Sequence, residues 1–185
     1  YAADAYFTTG QSAQALPHYQ AVAAAPNNKF TERALTNAAG IAFGQENYTL
    51  ALDFNQRLVA ASESSTGRLQ GRVGVMRCWQ RLGDLDKLCA AADSLLAEQK
   101  VTPDLADEAL LNKARSRYTQ QRFADADVLY ARLLNSSNGE YSGEAAYCRA
   151  EILFNKKQLK AAEAAIENIA ANPTSAYWLA KAFIL

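Results

Sequence analysis

Apolar residues recur at helical spacing in short segments that come in pairs along the chain. The clearest pair has Leu35, Ala38, Ala39 and Ala42 in its first segment and Leu52, Leu58 and Val59 in its second. Spacings of three and four residues place such side chains on one face of a helix. Sustained alternation of apolar and polar residues, the pattern of a half-buried strand, is absent from the sequence. We therefore expect an all-α protein built from helix-turn-helix units.

The turn within each pair lies in a short block that repeats along the chain. The blocks are residues 10–15, 46–51, 83–88, 121–126 and 157–162, and their last residues lie 36, 37, 38 and 36 positions apart. Helix-breaking residues separate successive pairs, at Pro26-Asn27-Asn28, 62–67, Thr102-Pro103, 135–139 and Asn172-Pro173. A near-constant period of this length predicts a solenoid, in which each pair buries its apolar face by stacking on the next.

Small, aromatic and proline residues occupy matching places in these pairs. The small residues are Ala3, Ala39, Ala114 and Ala150 on first helices and Ala15, Ala51, Ala126 and Ala162 on second helices; Tyr19 and Tyr130 follow, and Pro26 and Pro173 close two units. In these residues the chain resembles the tetratricopeptide-repeat (TPR) family over essentially its whole length. The third pair departs from the family pattern, with Met76, Leu88 and Ala92 in these roles and Arg72 where a large apolar residue is usual.

The resemblance implies a right-handed α-solenoid of about five TPR-like repeats plus a truncated sixth that begins at Tyr177, eleven helices in total. It also implies one superhelical domain over residues 1–185. Because neither end carries a polar capping helix, we interpret this domain as a fragment of a longer array, in a bacterial protein. Similar repeat proteins occur in bacterial cell envelopes, and by that resemblance alone the periplasmic side is favoured; the residues themselves do not define the compartment.

Charge and hydropathy exclude two classes of partner. The chain has 19 basic and 19 acidic residues, a formal net charge of zero, so it lacks the positive excess expected of a nucleic-acid-binding protein. A run of about 18 apolar residues, which membrane insertion requires, is also absent from the sequence. We expect neither nucleic-acid binding nor membrane insertion.

Reactive side chains are few and scattered, which argues against an enzyme. The single histidine, His18, has no ligand pair at helical spacing, and no glycine-rich phosphate loop precedes a helix. Cys78, Cys89 and Cys148 form no CxxC motif; we interpret them as buried free thiols, although a bridge between Cys78 and Cys89 remains an alternative. The sequence therefore predicts a non-catalytic protein without a cofactor or metal ion.

The first helices carry a recurring aromatic residue near their ends. The equivalent positions hold Phe7, Phe43, Gln80, Tyr118 and Phe154. Since the TPR family binds peptides on the concave side that first helices line, the resemblance implies that these side chains project toward a groove. The alternative is that they pack between neighbouring first helices. With the charged residues one turn away, the predicted groove residues are Phe7, Phe43, Arg77, Arg81, Arg115, Tyr118, Tyr147, Glu151 and Phe154.

Arginines on this face suggest the chemistry of the partner. Arg77, Arg81 and Arg115 form a positive stretch along the predicted groove, which favours a protein or peptide with acidic or carboxylate groups. The alternative is a solvated face whose arginines pair with nearby carboxylates. We predict a protein–protein interaction scaffold that binds a segment in a concave groove. The competing hypothesis is a structural module that self-associates end to end or through its convex face.

Overall fold

The computed structural model describes residues 2–185, and that part of the chain folds into eleven α-helices with no strand. The first helices of the pairs are α1 (Ala2–Thr8), α3 (Thr31–Gly44), α5 (Ser65–Leu82), α7 (Pro103–Thr119) and α9 (Gly139–Asn155). The second helices are α2 (Ser12–Ala24), α4 (Tyr48–Ala61), α6 (Leu85–Leu96), α8 (Phe123–Leu133) and α10 (Leu159–Ala171). Helix α11 (Ala176–Ala182) begins the sixth unit. The predicted all-α class and the eleven helices are confirmed.

The helices form two compact units, of which the first ends at Val101 and the second begins at Thr102. In the first unit each helix packs on the next, from α1 to α6, and the first helices α3 and α5 also touch. In the second unit α7 packs on α8, α8 on α9 and α9 on α10, while α9 also contacts α7 and α11. Each unit is therefore a stack of helix pairs, and the prediction of one domain over residues 1–185 remains a prediction.

Residues at the repeated small positions are buried where the two helices of a pair meet. Ala15, Ala51, Ala126 and Ala162 of the second helices are at most 1% exposed, and the equivalent Leu88 is also buried. The aromatics Tyr19 and Tyr130 fill the core one turn later. Met76 and Ala92 of the irregular third pair are fully buried as well. In the pairs that have alanine at these positions, a larger side chain would force the two helices apart.

The residue that opens each repeated block has a left-handed backbone. Its φ angle is 76° at Gly10 and Gly83, 60° at Glu46 and Gln121, and 61° at Lys157. After Gly10, Glu46, Gln121 and Lys157 the next amide bonds back across the end of the first helix, as in Gln158 N to Leu153 O at 3.0 Å. This closure ends the first helix and reverses the chain. The sequence period therefore reports a recurring backbone conformation as well as recurring packing.

Candidate binding surface

A pocket opens between the first helices α3 and α5 of the first unit. Its volume is about 260 Å³. It is lined by Thr36, Ala39, Gly40 and Phe43 of α3, Asn55 and Leu58 of α4, and Gln70, Val73, Gly74 and Arg77 of α5. We call it the α3–α5 pocket. It brings together Phe43 and Arg77, two of the predicted groove residues, and gives them an apolar floor with a buried amide.

Glycines on α5 create the close approach that shapes this pocket. A Cβ on Gly71 would lie 2.7 Å from Val59 Cγ2 and 3.0 Å from the Asn55 carbonyl oxygen, so α5 can lie against α4 only without a side chain there. A Cβ on Gly74 would lie 2.1 Å from Asn55 Oδ1. On the opposite wall, a Cβ on Gly40 would meet no atom within 4 Å. Gly71 and Gly74 thus allow α5 to lie close to α4, and Gly40 leaves the pocket open.

Asn55 lies at the floor of the α3–α5 pocket, where two other repeats have the tyrosines Tyr19 and Tyr130. Its side chain is 7% exposed, and its amide nitrogen donates to the Ala51 carbonyl oxygen at 2.8 Å and to Cys78 Sγ at 3.8 Å. Burial raises the pKa of the Cys78 thiol to about 11, which keeps this sulfur protonated at neutral pH. Exchanging a tyrosine for the smaller asparagine leaves room that an aromatic ring would fill.

Arg81 and Phe7 lie outside the lining of the α3–α5 pocket. The Arg81 guanidinium lies 5.4 Å from the ring centroid of Tyr48, a residue that also packs edge-on against Phe43 at 5.1 Å. Phe7 packs edge-on against Tyr19 at 6.1 Å and is 41% exposed. Both side chains are exposed near the ends of their helices, Arg81 beside Tyr48 and Phe7 in the first pair.

Arg115 in the second unit forms a salt bridge with Glu144, a partner that the sequence analysis did not predict. Its Nε and Nη2 donate to the two oxygens of Glu144 at 2.6 and 2.5 Å. Glu144 is 5% exposed, so the guanidinium neutralises a buried charge and its own pKa rises, chiefly through these hydrogen bonds. The Arg115 side chain therefore links α7 to α9 through this salt bridge. This contact agrees with the alternative that the arginines pair with nearby carboxylates.

Tyr118, Tyr147 and Glu151 form one hydrogen-bonded cluster in the second unit. The Glu151 carboxylate accepts from the Tyr118 hydroxyl and, at 3.0 Å, from the Tyr147 hydroxyl. Burial and then the bond to Glu151 raise the pKa of Tyr147 to about 12, and the same causes raise the pKa of Tyr118. Both phenols therefore stay neutral donors at physiological pH. Tyr118 also packs edge-on against two other rings, as the alternative of inter-helix packing expects.

The remaining candidate residues are Phe154, His18 and the three cysteines. Phe154 is 37% exposed, with the Lys157 ammonium 6.0 Å from its ring centroid. His18 is exposed and stacks on Tyr6 at 5.5 Å. Cys78, Cys89 and Cys148 are buried free thiols, which confirms that interpretation and excludes the Cys78–Cys89 bridge.

Residues 2–185 contain no group of three or more side chains placed to hold a metal ion. Within the same residues, no helix is both long and apolar enough to cross a membrane. The side chains that the structure does gather, at the α3–α5 pocket and around Glu151, are aromatic, arginine, amide and carboxylate groups. Such groups bind ligands through shape, hydrogen bonds and charge.

Comparison with solved structures identifies the architecture. The nearly identical TPR-like repeats from Podosopora anserina superpose with a TM-score of 0.63 at 15% identity, covering 91% of this chain and 90% of that one. A TPR protein from Bacteroides fragilis gives 0.59 at 13% identity over 99% and 81% of the two chains. The chain has the tetratricopeptide-repeat fold. A TPR protein from Parabacteroides merdae agrees, at 0.58 and 18% identity over 96% and 79%.

No protein-family model and no curated protein matches the sequence. The TPR fold is nevertheless visible in the residues themselves, because the recurring alanines and tyrosines occupy buried positions. At identities of 13–18% the likeness is one of backbone fold.

Proposed function

We propose that the chain is a non-catalytic protein–protein interaction scaffold that binds a peptide or protein segment in a groove between first helices. The observation that carries this proposal is the α3–α5 pocket, which joins an apolar ring, an arginine and buried polar atoms in one concavity of about 260 Å³. Binding sites commonly combine an apolar surface with a few placed polar groups. A volume of this size suits one or two side chains of a bound segment.

The residues of the pocket suggest how a segment would bind. Phe43 offers a partly exposed aromatic surface, and Arg77, also accessible, lies on the facing helix. An aromatic anchor gives contact area at low entropic cost, and an arginine binds a carboxylate through two parallel hydrogen bonds. We therefore propose that the bound segment places an apolar side chain beside Phe43 and a carboxylate near Arg77.

The carboxylate preference belongs to the first unit in this proposal. In the second unit Glu144 already occupies the guanidinium of Arg115, and the nearby Glu151 is itself a carboxylate. Placing a second negative group there would cost energy through like-charge repulsion. The proposal accordingly assigns binding of an acidic residue to the α3–α5 pocket, which Arg77 lines together with Phe43; Arg81 lies one helical turn further along the same face of α5.

Peptide selection tests this proposal directly. A random peptide library displayed on phage is selected against the intact chain, and the selected peptides are measured against Arg77→Ala and Gly40→Leu. We expect sequences that pair Asp, Glu or a C-terminal carboxylate with an apolar residue. Arg77→Ala should weaken them at least about tenfold, since a charge-assisted hydrogen bond is worth about 1.5–3 kcal/mol. Gly40→Leu should abolish binding because its side chain fills the pocket.

Matched controls separate pocket binding from loss of fold. Gly40→Leu introduces its Cβ into open space, and leucine favours a helix over glycine, so the variant should melt no lower than the parent chain. Arg132→Ala removes an exposed arginine from α8, in the other unit, and should leave affinity unchanged. Selected peptides without acidic groups, or undiminished binding to Gly40→Leu, would refute the proposal.

A further inference from the structure

Three aromatic rings surround a lysine ammonium at the last helix of the second unit. The Lys181 Nζ lies 5.5 Å from the ring centroid of Tyr147, 5.8 Å from that of Tyr177 and 5.7 Å from that of Trp178. We call these four residues the Lys181 cluster. Trp178 is tilted against Tyr147 at 5.4 Å and stands edge-on to Tyr177 at 4.9 Å. One ammonium position thus lies within 6 Å of three ring centroids.

The local sequence builds this arrangement from two helices. Tyr177 and Trp178 precede Lys181 by four and three residues on α11, so all three share one helical face. Tyr147 comes from α9, against which α11 packs. Gly143 permits that approach, because a Cβ on it would lie 3.1 Å from Trp178 Cδ1. Ser175 caps α11 by accepting from the Trp178 amide at 3.5 Å, which orients the first turn.

The electrostatics of the Lys181 cluster favour a cation. Aromatic faces attract an ammonium group when it lies within about 6 Å of the ring centroid. The Tyr147 hydroxyl donates to Glu151 at 3.0 Å, which places a carboxylate one hydrogen bond from the cluster. Tyr177 is 59% exposed and Lys181 is exposed, so solvent reaches the cation position. A ligand could enter without unfolding of α11.

The spacing of the rings exceeds what a bare ammonium needs. Lys87 lies 4.5 Å from the ring centroid of Trp79 in the first unit, at least 1.0 Å closer than Lys181 lies to any of its three rings. The wider position accommodates a cation that carries methyl groups. Methylated ammonium groups are also less strongly hydrated than a lysine ammonium, which favours their transfer onto aromatic faces.

We propose that Tyr147, Tyr177 and Trp178 form a binding site for a methylated or quaternary ammonium group, and that Lys181 occupies this site until such a ligand displaces it. The site lies in the second unit, so the proposal does not rest on peptide binding at the α3–α5 pocket. The ligand chemistry is shared by a methylated lysine side chain of a partner protein and by a small quaternary ammonium compound.

Choline titration tests the site in the intact chain. A Trp79→Phe background leaves Trp178 as the fluorescent reporter, because the chain has two tryptophans. We expect choline to change Trp178 fluorescence in a saturable manner, with at least tenfold higher affinity in Lys181→Ala than in the parent, since the internal competitor is gone. The neutral isostere 3,3-dimethylbutan-1-ol should bind at least tenfold more weakly than choline. Equal response to the two compounds overturns the proposal.

Variants at neighbouring positions supply the controls. Tyr177→Ala removes an exposed ring and should abolish the choline response in the Lys181→Ala chain, whereas Lys160→Ala, an exposed lysine of α10, should leave the parental affinity unchanged. Lys181→Gln replaces Lys181→Ala if the latter melts at a lower temperature. Failure of both Lys181 variants to raise affinity contradicts the proposal.

Displacement of Lys181 can be observed in the parental sequence as well. The three rings should shield the ε-methylene protons of Lys181, and saturating choline should return their NMR signals toward free-lysine values. A signal that stays shielded at saturation contradicts displacement. Repeating the titration with a short peptide containing Nε-trimethyllysine distinguishes the two sources: tighter binding than choline indicates a protein partner, and equal binding indicates a small molecule. Both results support the site.

Discussion

Individual polar residues determine what each binding surface can do. Asn55 leaves space where a tyrosine would fill the core, and its amide nitrogen donates to the Ala51 carbonyl oxygen. Glu144 is buried and takes both hydrogen bonds of the Arg115 fork. Asn55 thus leaves a pocket open. Glu144, in contrast, occupies the guanidinium of Arg115, so this arginine is not available to a ligand.

Removing the guanidinium of Arg115 should destabilise the chain. Arg115→Ala leaves the buried Glu144 carboxylate without its bidentate partner, and an unsatisfied buried polar group costs about 1–3 kcal/mol, more for a charge. Because the Arg115 side chain is 47% exposed and water can partly replace it, we expect the lower part of that range. Urea unfolding measures the change. Arg132→Ala, at an exposed position, should have little effect, and adding Glu144→Gln should recover part of the loss; equal stability of Arg115→Ala and the parent would contradict this role.

The turn between the two helices of a pair is the element that repeats most regularly. Five turns place a residue in the left-handed region, yet two of those residues are glycines and three carry side chains. For a residue with a Cβ this conformation costs roughly 1–2 kcal/mol. The cost is tolerated at Glu46, Gln121 and Lys157 because the flanking helices and the returning hydrogen bond hold the backbone there.

Glycine at Lys157 should therefore stabilise the fifth pair. Lys157→Gly relieves the left-handed strain, whereas Lys156→Gly, one residue earlier at φ −77°, makes the same chemical change where glycine has no conformational advantage. We expect Lys157→Gly to be more stable than Lys156→Gly by about 1 kcal/mol. Thermal unfolding followed by circular dichroism compares the two. The reverse order of melting temperatures would show that the turn is not strained.

At the scale of the whole molecule, the helices cluster into two units, each with its own stacked pairs. The sequence predicts one domain, because repeats of this kind bury their apolar faces against neighbouring repeats along the array. The chain offers a reporter in each unit: Trp79 lies on α5 and Trp178 on α11. These two tryptophans allow the domain prediction to be tested without cutting the chain.

Both tryptophans should report the same unfolding transition. Single-tryptophan variants, Trp79→Phe and Trp178→Phe, are unfolded in urea and followed by fluorescence and by circular dichroism. If residues 1–185 form one cooperative domain, each variant should show coincident midpoints by the two probes. In either variant, a fluorescence midpoint clearly apart from that of the helical signal would instead establish two independently unfolding domains.

The fold was predictable from the sequence to a large extent, since it depends on local and periodic signals. Residues that recur 36 to 38 positions apart, alanine in most pairs and Leu88 in the irregular one, mark close helix contacts, and they are buried. The block that opens with Gly10, Glu46, Gly83, Gln121 or Lys157 marks the left-handed turn. Helical periodicity, breakers and turn residues act over short distances along the chain, so a repeated pattern specifies a repeated structure.

The candidate sites were predictable only in part, because their chemistry depends on partners distant in sequence. The sequence by itself determined that aromatic and charged residues recur near the ends of first helices. Tertiary structure decided that Phe43 and Arg77 share a pocket, that Arg115 pairs with Glu144 29 residues away, and that Tyr147 meets Trp178 and Lys181. Each of these contacts joins two helices, and whether a side chain faces a ligand or a neighbouring helix is set by packing that no local pattern encodes.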